Sequence, residues 1–242
     1  MKWGVVMIVI VGRSKLRLIL LILAIGIVSL SYVTYYFEHQ KIDGRLRKIT
    51  LLIDPGHGGV DGGTHDHLGN LEKDINLNFG LAIQNQLCES GINIVMTREQ
   101  DTDLAPFRSG HGGRHRRDLL ARIDKARENK CLFLISIHCD SSEARYRQGA
   151  FVFYNYLSPV SKELAIAIQE EINKVVKKPG KAAPGKYLVI RQKSVTGVLV
   201  ELGFLSNAED ARLLQNSKYR DEMSLAIAKG VLRYLREYIP EE

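Results

Sequence analysis

Residues 49–59 read ITLLIDPGHGG and residues 132–138 read LFLISIH. Each is an apolar run of strand length that leads directly into a histidine. In the first, Asp54-Pro55-Gly56 stops the strand and opens a loop. Between and beyond these two runs, helical and extended patterns alternate. Ile75, Phe79, Ile83 and Leu87 repeat at helical spacing within residues 74–89, and Gly91 supplies a stop. Residues 92–96 read as a strand, 118–128 as a helix, 150–154 as a strand and 161–176 as a helix. Residues 187–190 and 198–202 read as two further strands, followed by helices starting near Ala208 and Tyr219. The pattern predicts a single α/β domain with a mainly parallel central sheet flanked by helices. The longest irregular stretch is 102–117, beyond ordinary connection lengths.

The composition narrows the class of protein. The chain has 242 residues with 45% apolar and 25% charged side chains, which suits one globular domain and excludes a disordered or fibrous chain. Cys88, Cys131 and Cys139 are too few for a disulfide framework and miss zinc-ribbon spacing. The net charge of +7 invites a nucleic-acid reading until it is located. Residues 1–48 hold eight basic and two acidic side chains, whereas 49–242 hold 26 against 25. A nearly neutral body argues against nucleic acid as a partner.

The basic flank surrounds Leu18–Phe37, twenty residues without a charge, which as a helix span about 30 Å. Tyr32, Tyr35, Tyr36 and Phe37 stand at its far end, where an interfacial aromatic belt belongs. Residues 1–48 therefore read as a membrane anchor or a signal segment with its linker, and 49–242 as the catalytic domain. A cleavable signal competes with an anchor at Ser29-Leu30-Ser31. Either reading exports the body. The apolar stretch 3–11 is unusual for a signal.

Four ionisable residues fall at or near strand ends, where open α/β sheets place their sites. His57 follows the first strand, His138 ends the strongly apolar one, Glu201 lies inside the apolar VLVELGF, and Glu72 opens a helix. Two imidazoles and a carboxylate are a catalytic zinc set with a fourth position open, and a second carboxylate supplies a general base. Glu201 in a strand core requires a reason, because an unpartnered buried carboxylate is costly. His65, His67 and His111 are weaker candidates in polar loops, and Cys139 reads as a small buried side chain. DPGHGG lacks the Gly-Lys-Ser/Thr of a phosphate-binding loop.

Five blocks in order, LLIDPGHGGVDGG (51–63), LEKDINL (71–77), MTRE (96–99), LFLISIHCDSS (132–142) and VLVELGFLSN (198–207), resemble the zinc-dependent N-acetylmuramoyl-L-alanine amidases of the Amidase_3 type. The resemblance runs from about Ile49 to Leu235. It implies zinc as cofactor, with His57, Glu72 and His138 as its ligands and Glu201 as the catalytic carboxylate. Arg191 matches a family arginine and is implied as a contact for stem-peptide carboxylates. Residues 96–106 and 204–235 are similar to the germination-specific, spore-cortex branch of the family. The implied substrate is peptidoglycan, cut outside the cytoplasmic membrane between muramic acid and L-alanine, in the cortex for muramic δ-lactam formation. An accessory protein is left open as a partner. Asp140 stands where the family has Asn, Thr196-Gly197 where many members carry Pro, and 107–117 has no family counterpart. The alternatives are a general autolysin, a zinc carboxypeptidase acting on the stem peptide, and a non-catalytic wall-binding module. Asp54 and Asp140 are expected to orient His57 and His138 from behind.

Overall fold

A computed structural model describes residues 12–105 and 113–238; His111 and the stretch 3–11 lie outside the described residues. The chain divides into two units, Met1–Asp43 and Gly44–Glu242. Within the first runs most of a long helix, α1 (Arg13–Leu46). Its segment Arg17–Tyr35 is long and apolar enough to cross a membrane, and none of it is buried.

The second unit is the α/β domain. Its strands are β1 (Thr50–Pro55), β2 (Asn93–Met96), β3 (Phe133–Asp140), β4 (Phe151–Tyr154), β5 (Ala183–Pro184) and β6 (Thr196–Phe204). They form one sheet in the order β2-β1-β3-β6-β4-β5. The neighbours β2, β1, β3 and β6 are parallel, and β4 runs antiparallel to β6. Near-continuous apolar runs become central strands because helices cover both faces and no position needs to meet water. β3 is buried along its first five residues and β6 along all but its first.

The helices are α2 (Glu72–Leu87), α3 (Arg114–Glu128), α4 (Pro159–Ile172), α5 (Ala208–Leu214) and α6 (Ser217–Tyr238). The stripe Ile75, Phe79, Ile83 and Leu87 buries α2, and α6 packs against both α2 and α4. Ser158 caps α4 by accepting from the Ser161 N–H, and Pro159 takes the first helical position, where no amide donor is needed. The other face of the sheet is filled by Leu52, Leu134 and Leu199 against Ala126 of α3 and Val189 and Ile190.

Residues 187–190, expected as a strand, are instead a turn of 3-10 helix at Leu188–Ile190. The free edge of β4 is taken by β5, so this apolar segment buries Val189 and Ile190 without joining the sheet. Short apolar runs bury equally well either way, and the partner strand makes the difference.

Candidate metal centre

The register of the sheet brings the distant blocks together. Pro55 at the end of β1 lies beside Ile137 of β3, and His138 lies beside Glu201 of β6. α2 starts at Glu72, whose carboxylate turns back toward this edge. His57 Nε2 is 3.2 Å from Glu72 Oε1, and His138 Nδ1 is 3.0 Å from the same oxygen. The two imidazoles meet edge to face with centroids 5.0 Å apart. One donor atom from each of His57, Glu72 and His138 lies within 4.8 Å of the others, the group among the described residues suited to hold a metal ion.

The protons of this cluster test whether a metal fits. Glu72 Oε1 also accepts from the Cys139 N–H (3.1 Å) and from Asn76 Nδ2 (3.2 Å), and Oε2 accepts from the Thr64 N–H (3.0 Å). Burial opposes ionisation of Glu72, but bonds from His138 and His57 outweigh it and hold the carboxyl well below its ordinary range. His57 has carboxylates at both nitrogens. Its Nδ1 lies 2.9 Å from Asp61 Oδ2, an ion-pair distance off the line of a hydrogen bond. Burial lowers the His57 pKa, yet Glu72 and Asp61 together raise it. A neutral imidazole carries one proton and cannot donate to both carboxylates at once. A metal in place of the Nε2 proton resolves the conflict, and Nδ1–H then faces Asp61. The donor set fits a divalent cation.

Two arginines hold the loop that carries His57. Arg122 of α3 donates from Nη1 to Asp54 Oδ1 (2.5 Å) and to Pro55 O (2.9 Å), and from Nη2 to His57 O (2.7 Å). Arg98 donates to Pro55 O (3.0 Å), Gly56 O (3.0 Å) and Lys73 O (2.7 Å), which ties the loop to the first turn of α2. Three consecutive carbonyls therefore point at guanidinium groups. His57 itself has φ 61°, a left-handed conformation that costs a non-glycine residue and persists only where its surroundings enforce it. Space is equally constrained. A Cβ on Gly56 would stand 2.2 Å from the His138 ring, and one on Gly63 would stand 2.4 Å from Glu72 Oε2. Both positions must lack a side chain for the trio to converge.

Glu201 is 6% exposed, and its Oε2 has no hydrogen-bond partner. Burial, with the nearby Asp140 and Glu72 carboxylates, pushes its pKa up to about 8, against an opposing pull from His57. Such a perturbed carboxyl with an unpaired oxygen, beside a trio that can hold a metal ion, is a candidate for proton transfer.

The other sequence candidates fall elsewhere. Asp54 does not touch His57: it accepts from Ser136, Thr97 and Arg122 and reaches the loop through that arginine. Asp140 stands beside a bulge that follows His138, and its Oδ1 accepts from the Ser141 N–H. His65 and His67 are exposed. Asp66 between them closes its own loop onto Leu68 and Asn70. Arg191 is not brought to the trio; it lines a cavity with Thr196 and Gly197, at the far end of β6 from Glu201. Sequence reading passed over Asp61, Arg98 and Arg122. A signal for Arg122 existed, since it sits in the helical stripe between Leu119 and Ala126 where an apolar residue is expected. Asp61→Asn is expected to keep the fold, because its Oδ1 bond to the Gly63 N–H survives. It should weaken metal binding about 10–100-fold, as measured by chelator competition.

An open α/β sheet with a His-Glu-His trio and a buried carboxylate at its strand ends has the parts for metal-assisted hydrolysis: donors that can hold a cation and a carboxyl suited to carry a proton. Residues 51–233 match the Amidase_3 family, N-acetylmuramoyl-L-alanine amidase, and the chain belongs to that family and has its amidase activity. It is 36% identical over 192 residues to the germination-specific N-acetylmuramoyl-L-alanine amidase of Bacillus subtilis (strain 168), covering 77% of this chain and 80% of that protein. The fold matches the CwlD amidase from Clostridioides difficile, solved in complex with the GerS lipoprotein. That match has TM-score 0.74 at 30% identity and covers 77% of this chain and 98% of that one. An N-acetylmuramoyl-L-alanine amidase of Nostoc punctiforme matches with TM-score 0.66 at 29% identity, over 78% of this chain and 97% of that one.

Proposed function

We propose that this chain hydrolyses the amide between N-acetylmuramic acid and L-alanine in spore-cortex peptidoglycan, using one zinc ion held by His57, Glu72 and His138. The observation that carries the reading is the convergence of these three donors beside the unpartnered, buried Glu201. When bound, zinc supplies a Lewis acid that polarises the scissile carbonyl and lowers the pKa of water. Glu201 takes a proton from the attacking water and delivers it to the departing amine of L-alanine. Its raised pKa suits a group that must hold that proton between the two steps. Arg98 and Arg122 keep the His57 loop in the one conformation that aims its ring at Glu72. Asp61 orients that ring from behind.

Residues 1–48 are proposed as a membrane anchor with its linker and 49–242 as the catalytic domain, acting on the cortex side of the forespore membrane. The apolar segment Arg17–Tyr35, long enough to cross a membrane, supports that reading. The GerS complex of the similar CwlD amidase supports an accessory protein as a partner for this chain as well.

Mass spectrometry of cortex muropeptides after digestion by the purified chain tests the reaction. Whole stem peptides should be released, and only with zinc present. Release of single amino acids would instead indicate a carboxypeptidase, and no release a binding module. Spores lacking the chain should lose muramic δ-lactam; undiminished δ-lactam would leave a general autolysin. His138→Ala should reduce zinc content by at least about tenfold while the protein still folds. Full zinc occupancy in that variant would remove His138 from the ligand set.

A further inference from the structure

We propose that the sheet edge opposite the metal centre is a docking surface for anionic phospholipid headgroups; the inference rests on reading α1 as a membrane anchor. This edge is formed by the starts of β1, β3 and β6 and by the end of antiparallel β4. It is continuous across the strands. The Leu132 N–H donates to Thr50 O, and the Leu132 carbonyl accepts from the Thr196 N–H, so the backbone of this edge is satisfied by its own neighbours. Its side chains are not covered. Leu132 is 52% exposed, and Tyr156 and Leu157, which follow β4, are 55% and 69% exposed.

Beside Leu157 lies a cavity of about 470 Å³ whose wall joins apolar Leu157, Pro159 and Val195 to basic Arg191 and Lys193. The heads of Arg191 and Lys193 are exposed and take no part in an ion pair among the described residues. Arg47, Lys48 and Lys130 are exposed at the starts of β1 and β3 on the same edge. Against these five cations the edge sets exposed Glu89, Glu128 and Glu237, the last at the end of α6 beside Tyr238, whose ring meets Phe133 at the start of β3. Leucine and tyrosine beside a cation-walled hollow is the chemistry of an interfacial site. The apolar groups enter the acyl boundary while the basic heads meet phosphate. Position agrees with charge, since the anchor segment is followed by Arg47 and Lys48 at this edge. Docked in this way, the domain presents the metal centre away from the bilayer, toward a polymeric substrate. It also gives Arg191, remote from Glu201, a partner.

The test uses the full chain with Cys88→Ser and Leu157→Cys, which leaves Cys131 and Cys139 buried. A polarity-sensitive fluorophore at 157 is followed in vesicles of phosphatidylcholine, with and without phosphatidylglycerol. A lipid-borne quencher should cut its emission at least about twofold more in the anionic vesicles, and added salt should erase the difference. Arg191→Glu with Lys193→Glu should erase it too. A label at Leu68→Cys, on the loop near the metal centre, should stay bright throughout. Flotation of the chain with equal quenching at 157 and 68, or with no response to phosphatidylglycerol, overturns this inference alone. Shielding of position 157 by an acidic protein but not by lipid overturns it in favour of a protein partner. Failure to float with either vesicle overturns the anchor reading and this inference together.

Discussion

Replacing Glu201 by glutamine should leave fold and metal content intact and lower amide hydrolysis by at least about 10²–10⁴-fold. Gln is nearly isosteric and cannot accept the water proton, and the space around Oε2 requires no partner to be rebuilt. Metal content measured beside turnover separates the roles: loss of both would make Glu201 a ligand, and turnover within a few-fold of wild type would make another group the base. The same variant carries a stability signature in the metal-free protein. The Glu201 carboxyl titrates near 8 in the folded chain against an ordinary value of 4.5. A raised folded pKa stabilises fully below the unfolded value and is lost as pH climbs toward the folded one. Metal-free wild type should therefore lose stability relative to Glu201→Gln between about pH 4.5 and 8, by up to about 4 kcal/mol. Thermal melts of the two proteins across that range measure the gap. A gap that stays constant with pH would show that Glu201 is not held in a desolvated site.

Arg122→Ala should destabilise the catalytic domain by about 3–5 kcal/mol, a large share of the total stability of an ordinary domain. Arg122 and Asp54 are 2% and 1% exposed. Truncating the arginine leaves a buried carboxylate without its cation, together with the Pro55 and His57 carbonyls without their donor. Burial alone would raise the Asp54 pKa; Arg122, Ser136 and Thr97 outweigh it and hold the carboxyl below its ordinary range. A depressed folded pKa stabilises above the unfolded value and is lost as pH falls through the folded one. The wild-type advantage over Arg122→Ala should accordingly persist at neutral pH and shrink in acid below about pH 4. Adding Asp54→Asn to Arg122→Ala should recover part of the loss, since no charge is then stranded. Denaturant midpoints of the three proteins decide the matter. A loss below about 1 kcal/mol would show the pair to be ornamental. Metal affinity should fall alongside stability, because the left-handed conformation of His57 loses one of its two clamps.

Much of this molecule was determined by local sequence. Apolar runs at 51–53, 133–137 and 198–200 are strands in any α/β arrangement, and the stripe from Ile75 to Leu87 is a helix, because periodicity acts over neighbouring residues. The catalytic candidates were legible for the same reason. A histidine ending an apolar strand and a glutamate inside one are anomalies visible without coordinates, and ordered motif blocks select the same residues.

Other features were decided only by the tertiary structure. Residues 187–190 could bury their apolar side chains as strand or as 3-10 turn, and the occupied edge of β4 settled it. Asp61, not Asp54, faces His57, because the loop doubles back four residues on while Asp54 is held by an arginine 68 positions away. Arg191 resembled a substrate contact in sequence yet lies at the far end of β6, since the six extended residues from Thr196 to Glu201 carry the chain about 16 Å. Periodicity and strand ends are written over a few adjacent residues. Which guanidinium meets which carbonyl depends on long-range register, and that exists only once the sheet has formed.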